Sequence, residues 1–311
     1  MLTFVCPGQG AQKPGILDPW IEDPISRDQL EMLDSAVDFD LIEAGSSWNS
    51  DQIRDTKVAQ PLIFAASLVS AYAALSPVAK PAVVTGHSVG EWCASVLTGV
   101  LSATDAMTLV SARGNAMALA CEQSPTGMVA VLGGDRSDVL EAAATYELAL
   151  ANDNGAGQLV VGGATDQLAE FRAHPPHKAR VRALDVAGAF HTAAMQSAIP
   201  AVTAVAAGVT TCEADVPLIS NRDGKAITDG QQILDRMIEQ IALPVRWDLV
   251  METLASLGTT VTLETCPAGT LSGILRRAMP HLVQHQINSP ADSSALRATG
   301  FGTIELAEAN S

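Results

Sequence analysis

Gly86-His87-Ser88-Val89-Gly90 is a serine bracketed by glycines, preceded by the β-branched run Val83-Val84-Thr85 and followed by a helix-compatible stretch from Glu91 and Trp92. On a tight strand-to-helix turn such a serine stands exposed, and the glycines let neighbouring backbone pass without a Cβ clash. The helix N-terminus beyond it would offer unpaired N–H groups and a positive dipole end, both suited to an oxyanion forming beside Ser88. Five-residue patterns of this kind also occur in ordinary loops, so the flanking strand and helix are what favour a nucleophile.

A serine nucleophile needs a base, and His191 in Gly188-Ala189-Phe190-His191-Thr192 is a candidate. It either packs as a histidine at a helix start or, if it reaches Ser88 and a third group orients it, removes the serine proton. His87 adjoins Ser88, but consecutive side chains diverge in such a turn, so a structural role fits it better. Arg113 lies among Ala, Met, Leu and Val neighbours. It is either snorkelling to solvent or a fixed cation awaiting a carboxylate, which its planar fork can bind through two hydrogen bonds. Gln9, in Pro7-Gly8-Gln9-Gly10, is either an exposed loop amide or a ligand-facing group at the carboxyl end of a strand, the edge where open α/β sheets bind ligands.

The elements that would position these residues follow from periodicity. Leu2 to Cys6 reads as a buried strand, and Ala59-Gln60-Pro61 opens an apolar helix with Pro61 in its first turn. The apolar stretch from Leu62 to Leu75, bounded by Pro61 and Pro77, is too short to span a bilayer and reads as a buried helix. Helices are expected from Glu91 to Gly99 and from about Ala103 to Ala120. Residues 125 to 187 then run strand, helix, strand, strand, helix, strand, with Asn152-Asp153-Asn154-Gly155 as the central hairpin. An apolar helix should run from His191 to about Ala207. Beyond it the pattern gives strands at Val216 to Ser220 and Val261 to Glu264, and helices at Gln231 to Ile241, Asp248 to Leu257 and Leu271 to Arg277. A frayed tail is expected near Ala307 to Ser311.

The expected fold class is therefore α/β: an α/β-hydrolase-like large domain with a parallel sheet, built from 1–124 and 189–311, and an inserted ferredoxin-like small subdomain over 125–188. With 34 acidic and 18 basic side chains the formal charge is −16, which disfavours nucleic acid and anionic membrane surfaces as partners. Cys6, Cys93, Cys121, Cys212 and Cys266 are scattered, with no C-x-x-C pair. They read as reduced thiols of a cytoplasmic protein without a structural zinc site.

Taken in order, Pro7-Gly8-Gln9-Gly10, Gly86-His87-Ser88-Val89-Gly90-Glu91, Arg113, Phe190-His191, and Gln240 through Pro244-Val245-Arg246-Trp247 resemble the malonyl-CoA:acyl-carrier-protein transacylase family. The resemblance runs from the first strand to about Ser289, and Asn152 to Gly163, with Gln158-Leu159-Val160-Val161-Gly162-Gly163, is similar to that family's subdomain hairpin. It implies transfer of malonyl from malonyl-CoA to the phosphopantetheine thiol of acyl carrier protein through a malonyl-Ser88 ester, with His191 as general base. It further implies that the backbone carbonyl of Gln240 orients His191, so that Gln240→Ala should be mild. Backbone N–H groups of Gln9 and Val89 would form the oxyanion hole, a contribution of roughly 3 kcal/mol per donor. Arg113 would hold the malonyl carboxylate, and Met117 and Phe190 would line the acyl pocket, the Phe190 ring crowding an added α-methyl group. Cys266, where the family often has glycine, and Arg246 depart from the family pattern without touching these residues.

The resemblance implies no metal and no permanently bound cofactor, and the chain is expected to act as a monomer. The carrier protein of this family is acidic, so a chain of charge −16 must meet it on local cations, of which Lys178, Arg180, Arg182, Arg276 and Arg277 are candidates. A serine thioesterase or esterase shares Ser88 and His191 but has no need of Arg113. Acyltransferases of polyketide synthesis or malonate decarboxylation would share the whole set.

Overall fold

A computed structural model of the chain describes residues 1–75 and 80–298. Pro77 and the tail from Ala307 to Ser311 lie outside the described residues. Eleven strands among the described residues form two mixed sheets: β1 (Leu2–Cys6), β2 (Val83–Gly86), β3 (Thr126–Gly133), β4 (Ala149–Asp153), β5 (Gln158–Ala164), β6 (Ala179–Ala183), β7 (Leu218–Ile219), β8 (Ala226–Ile227), β9 (Val245–Arg246), β10 (Val261–Glu264) and β11 (Val283–Gln286). With helices packed around both sheets, the fold is mixed α/β.

The larger sheet has the order β11-β10-β1-β2-β7-β8. Its pairs are parallel except β7 with β8. β1 and β2 are buried at every position, as expected of parallel strands covered on both faces. The smaller sheet has the order β6-β3-β5-β4-β9. Its first four strands pair antiparallel, and β9 joins parallel to β4 through Asn152 and Asp153. This fifth strand comes from well outside the 125–188 stretch, and its two residues are too few to leave a periodic signal.

The apolar helix is in the core, as its composition predicts: it spans Thr56–Ala74, and 83% of its apolar window is buried. Each buried Leu, Ile or Phe on it contributes about 1.5–3 kcal/mol. Its start differs from expectation. Asp55 caps the helix by accepting from the Lys57 N–H at 3.1 Å, which puts Pro61 inside the helix rather than in its first turn. Pro61 has no N–H to offer the Lys57 carbonyl.

The helix Ala103–Glu122 crosses this first turn closely. A Cβ at Gly114 would stand 3.0 Å from the Thr56 carbonyl oxygen, so glycine sets the spacing there. The crossing brings Arg113 alongside Gln60.

Several boundaries moved. The continuous helix expected after His191 is a 3₁₀ turn, Ala193–Ala198, followed by a helix, Ile199–Ala206, with Pro200 in the opening turn of that helix. The strand expected at Val216 to Ser220 pairs only over β7, and the strand expected to close the 125–187 stretch is β6. Strands β8 and β11 and the helix Pro290–Ala298 carried no recognised pattern.

Candidate active site

Three carboxyl ends of adjacent parallel strands meet at the site: β1 leads to the Gln9 turn, β2 to the serine turn, and β7 to Ser220 and Asn221. Backbone packs on backbone here. A Cβ at Gly86 would collide with the Gly90 carbonyl and the Glu91 nitrogen, and a Cβ at Gly90 with the carbonyls of Cys6 and Pro7. The two glycines of the motif are therefore demanded by close approach, and the His87 N–H donates to the Cys6 carbonyl at 2.9 Å.

Ser88 sits at φ 56°, in the left-handed region that a non-glycine residue enters at a cost of about 1–3 kcal/mol. Its surroundings over-determine it. The Ser88 N–H donates to Asn221 Oδ1 at 2.8 Å, and Asn221 Nδ2 donates to the Gly86 carbonyl at 2.6 Å. The helix Gly90–Leu97 starts immediately after Val89, whose N–H lies ahead of the first helical residue, where a helix offers no acceptor of its own.

His191 also has a positive φ, 60°. Its loop is held against the smaller sheet: the Ala189 N–H donates to Thr126 Oγ1 at 3.1 Å, and the Thr192 hydroxyl donates to the Ala189 carbonyl at 2.7 Å. His191 Nε2 lies 2.7 Å from Ser88 Oγ, and Nδ1 lies 2.8 Å from the Gln240 carbonyl oxygen. A carbonyl only accepts, so Nδ1 carries the proton and Nε2 presents its lone pair to the serine hydroxyl. Gln240 caps the helix Gly230–Glu239, where carbonyls lack intrahelical partners. Burial first, and the Arg113 charge second, push the His191 imidazole down to about 3, so it is unprotonated throughout the neutral range, with its Nε2 lone pair free to face the hydroxyl.

Arg113 is 1% exposed, so the guanidinium is fixed in the interior rather than snorkelling. One terminal nitrogen donates to Gln60 Oε1 at 2.5 Å and the other to Ser88 Oγ at 3.2 Å, while Nε has no partner. Burial pulls its pKa down to about 10, with Glu91 opposing the shift, so it remains charged at neutral pH. Met117, one turn further along the same helix, accepts from Gln60 Nε2 through its sulfur at 3.5 Å. Phe190 is buried beside His191, and Gln9 is half-buried on its turn. His87 points away from the serine oxygen: its Nε2 lies 3.0 Å from Asn154 Oδ1 and its ring packs on Trp247.

Four residues of this arrangement had no role assigned from sequence: Gln60, Glu91, Asn154 and Asn221. Gln60 left a trace as the one polar side chain between Val58 and Ala66, the kind of buried polar group that is informative. Gln240 also does more than lend a carbonyl. Its side chain is buried and donates to Glu91 Oε2 at 2.6 Å, which argues against a mild Gln240→Ala. A cavity of about 760 Å³ opens elsewhere, against Asn115 and Leu119. Its cations Arg54 and Lys57 are paired with Asp51 and Asp55, and Ser88 does not line it.

A serine oxygen shared between a neutral histidine and a buried cation can accept an acyl group that carries its own negative charge. The family comparison agrees in class: residues 3–292 match the acyl transferase domain, and the chain belongs to that family. Among curated relatives, the malonyl CoA-acyl carrier protein transacylase of Mycobacterium tuberculosis is 44% identical over 300 residues, covering 95% of this chain and 99% of the relative. The protein of the same name from Haemophilus influenzae is 31% identical over 306 residues, covering 94% and 97%. The crystal structure of MCAT from Mycobacterium tuberculosis superposes with a TM-score of 0.91 at 43% identity, covering 95% of this chain and 99% of that one. A type II PKS acyl-carrier protein in complex with its malonyl-transacylase includes a chain that matches with a TM-score of 0.87 at 25% identity, covering 94% and 97%.

Proposed function

We propose that this protein transfers the malonyl group from malonyl-CoA to the phosphopantetheine thiol of an acyl carrier protein, supplying fatty acid synthesis. The observation that carries this reading is the double contact of Ser88 Oγ, with His191 Nε2 at 2.7 Å and the Arg113 guanidinium at 3.2 Å. A hydrolase of neutral esters has no use for a buried cation beside its nucleophile. A malonyl donor does, because its free carboxylate needs a partner once it leaves water.

In the first half-reaction His191 Nε2 takes the serine proton as Oγ attacks the thioester carbonyl. The N–H groups of Gln9 and Val89 receive the developing oxyanion. Collapse breaks the C–S bond, and the protonated His191 returns its proton to the departing CoA thiolate. The malonyl group remains as an ester on Ser88, its carboxylate on Arg113, with Met117 and Phe190 around it. In the second half-reaction His191 deprotonates the pantetheine thiol, which attacks the ester, and the serine oxygen leaves with that proton.

The domain reading has similar support. An α/β-hydrolase-like large domain, 1–124 with 189–311, would carry Ser88, Arg113 and His191. A ferredoxin-like subdomain, 125–188, is supported by the antiparallel order β6-β3-β5-β4 with two helices between its strands. The protein would work in the cytoplasm as a monomer without metal or bound cofactor, meeting the acyl carrier protein transiently. The carrier would dock near Lys178, Arg180, Arg182, Arg276 and Arg277, all exposed. Arg277 donates to Gln158 at 2.9 Å, close to the hairpin whose Asn154 holds His87.

Intact mass after brief exposure to malonyl-CoA tests the reading. The expected result is a malonyl adduct that is absent in Ser88→Ala and passes to holo acyl carrier protein. Release of free malonate without transfer would overturn it in favour of a thioesterase.

A further inference from the structure

Glu91 is the second residue of the helix Gly90–Leu97 and is 2% exposed. A carboxylate at this depth without an ion pair is costly, and burial pushes its carboxyl up to about 8 against the help of its hydrogen-bond donors and Arg113. The residue makes no bond to Ser88 Oγ or to His191. Its two oxygens are divided instead. Oε1 accepts the Asn221 N–H at 2.8 Å, and Oε2 accepts the Gln240 side-chain amide at 2.6 Å.

Each partner holds one half of the reacting pair. Asn221 clamps the serine turn through its bonds to the Ser88 N–H and the Gly86 carbonyl. Gln240 supplies the carbonyl that orients His191. Asn221 follows β7 and Gln240 caps the helix Gly230–Glu239, so Glu91 is the shared acceptor for two segments that lie 130 and 149 positions from it in the chain. The geometry points to Glu91 as a positioning residue that sets the distance between Ser88 and His191 by fixing Asn221 and Gln240 to one carboxylate. This rests on the reading of Ser88 and His191 as the reacting pair.

The chemistry of the contact dictates which replacements can serve. Both partners donate, so the site needs two acceptor oxygens, and Asp is one methylene too short to serve both. Gln at position 91 keeps an acceptor for the Asn221 N–H but turns its NH₂ toward that of Gln240. The exchange Glu91→Gln with Gln240→Glu reverses the second bond without losing it: the new amide donates to the new carboxylate.

The test compares Glu91→Ala, Gln240→Glu and the double exchange with the native protein by two rates. One is phosphonylation of Ser88 by a fluorophosphonate probe, which needs an activated serine and no malonyl group. The other is formation of malonyl-Ser88 by rapid-quench mass spectrometry. Both single substitutions should slow phosphonylation about 10- to 100-fold, the range for leaving a buried polar group without its hydrogen-bond partner. The slowing of malonylation should fall on kcat rather than on KM for malonyl-CoA, because Arg113 is untouched. The double exchange should recover at least half of the logarithmic loss of Gln240→Glu.

Phosphonylation of Glu91→Ala at the native rate would overturn the inference, as would a double exchange no faster than Gln240→Glu alone. If Glu91→Ala fails to fold by circular dichroism, the exchange decides the matter. The phosphonylation rates read positioning whatever the acyl donor, so a failure of malonyl transfer in the native protein is a separate result.

Discussion

Removal of the Arg113 guanidinium should change which acyl group the protein prefers. The side chain is 1% exposed and bonds only to neutral partners, Gln60 and Ser88, with Nε free. In Arg113→Ala a malonyl carboxylate would enter the same buried space without a cation. An uncompensated buried charge costs about 3–5 kcal/mol, which is roughly a 10²- to 10³-fold or greater fall in kcat/KM for malonyl-CoA. Acetyl-CoA has no carboxylate to strand, so its kcat/KM should change by less than about tenfold.

The assay is the ratio of the two kcat/KM values in native and Arg113→Ala protein, read by CoA release in the first half-reaction. Arg113→Lys should recover only part of the ratio, because a point charge cannot reproduce the two-pronged contact. The substitution has a second signature. Arg113 helps to hold the His191 imidazole low, so its loss should move the acidic limb of the rate profile to higher pH. A malonyl-to-acetyl ratio that shifts by less than fivefold would refute the carboxylate contact.

Gly90→Ala should destabilise the protein by about 3 kcal/mol or more, since the added methyl meets the Cys6 and Pro7 carbonyls and backbone must move; urea unfolding checks this. His191 is held near 3 in the folded protein against 6.5 in its ordinary state, so between those values only the unfolded chain gains its proton. Its contribution to stability is complete above about pH 6.5 and is lost as the pH falls toward 3, and phosphonylation of Ser88 should show no inflection near 6.5. Glu91 works in the opposite sense: raised to about 8, it should cost stability as the pH rises from about 4.5 to 8, a slope that Glu91→Gln removes in pH-dependent unfolding. Reversing Arg276 and Arg277 to Glu should raise the apparent KM for acyl carrier protein severalfold and leave that for malonyl-CoA unchanged. Equal effects on both substrates would remove the patch.

Local pattern was enough to find β1, the apolar core helix and the serine turn, because each is written in consecutive residues. The glycines of the turn could be read for the same reason. Gln60, Asn154, Asn221 and the work of Glu91 could not, since each acts through a partner 53 to 149 positions away that only the fold brings near. Pro61 misled because proline is usual in a first turn, whereas Asp55 offers a stronger start one turn earlier. β8, β9 and β11 are short or at the margin of their sheets, where two to four residues leave no alternation to detect.

Gly86 packs against the backbone of Gly90 and Glu91, and Gly90 against that of Cys6 and Pro7, so the mount of Ser88 is measured in peptide units. Side chains beneath the sheet set its stability but not its height. Repacking of Phe4, Val84 or Trp92 should therefore alter melting behaviour well before it alters reactivity. The main chain of β1 acts as a rigid gauge block for the chemistry above it.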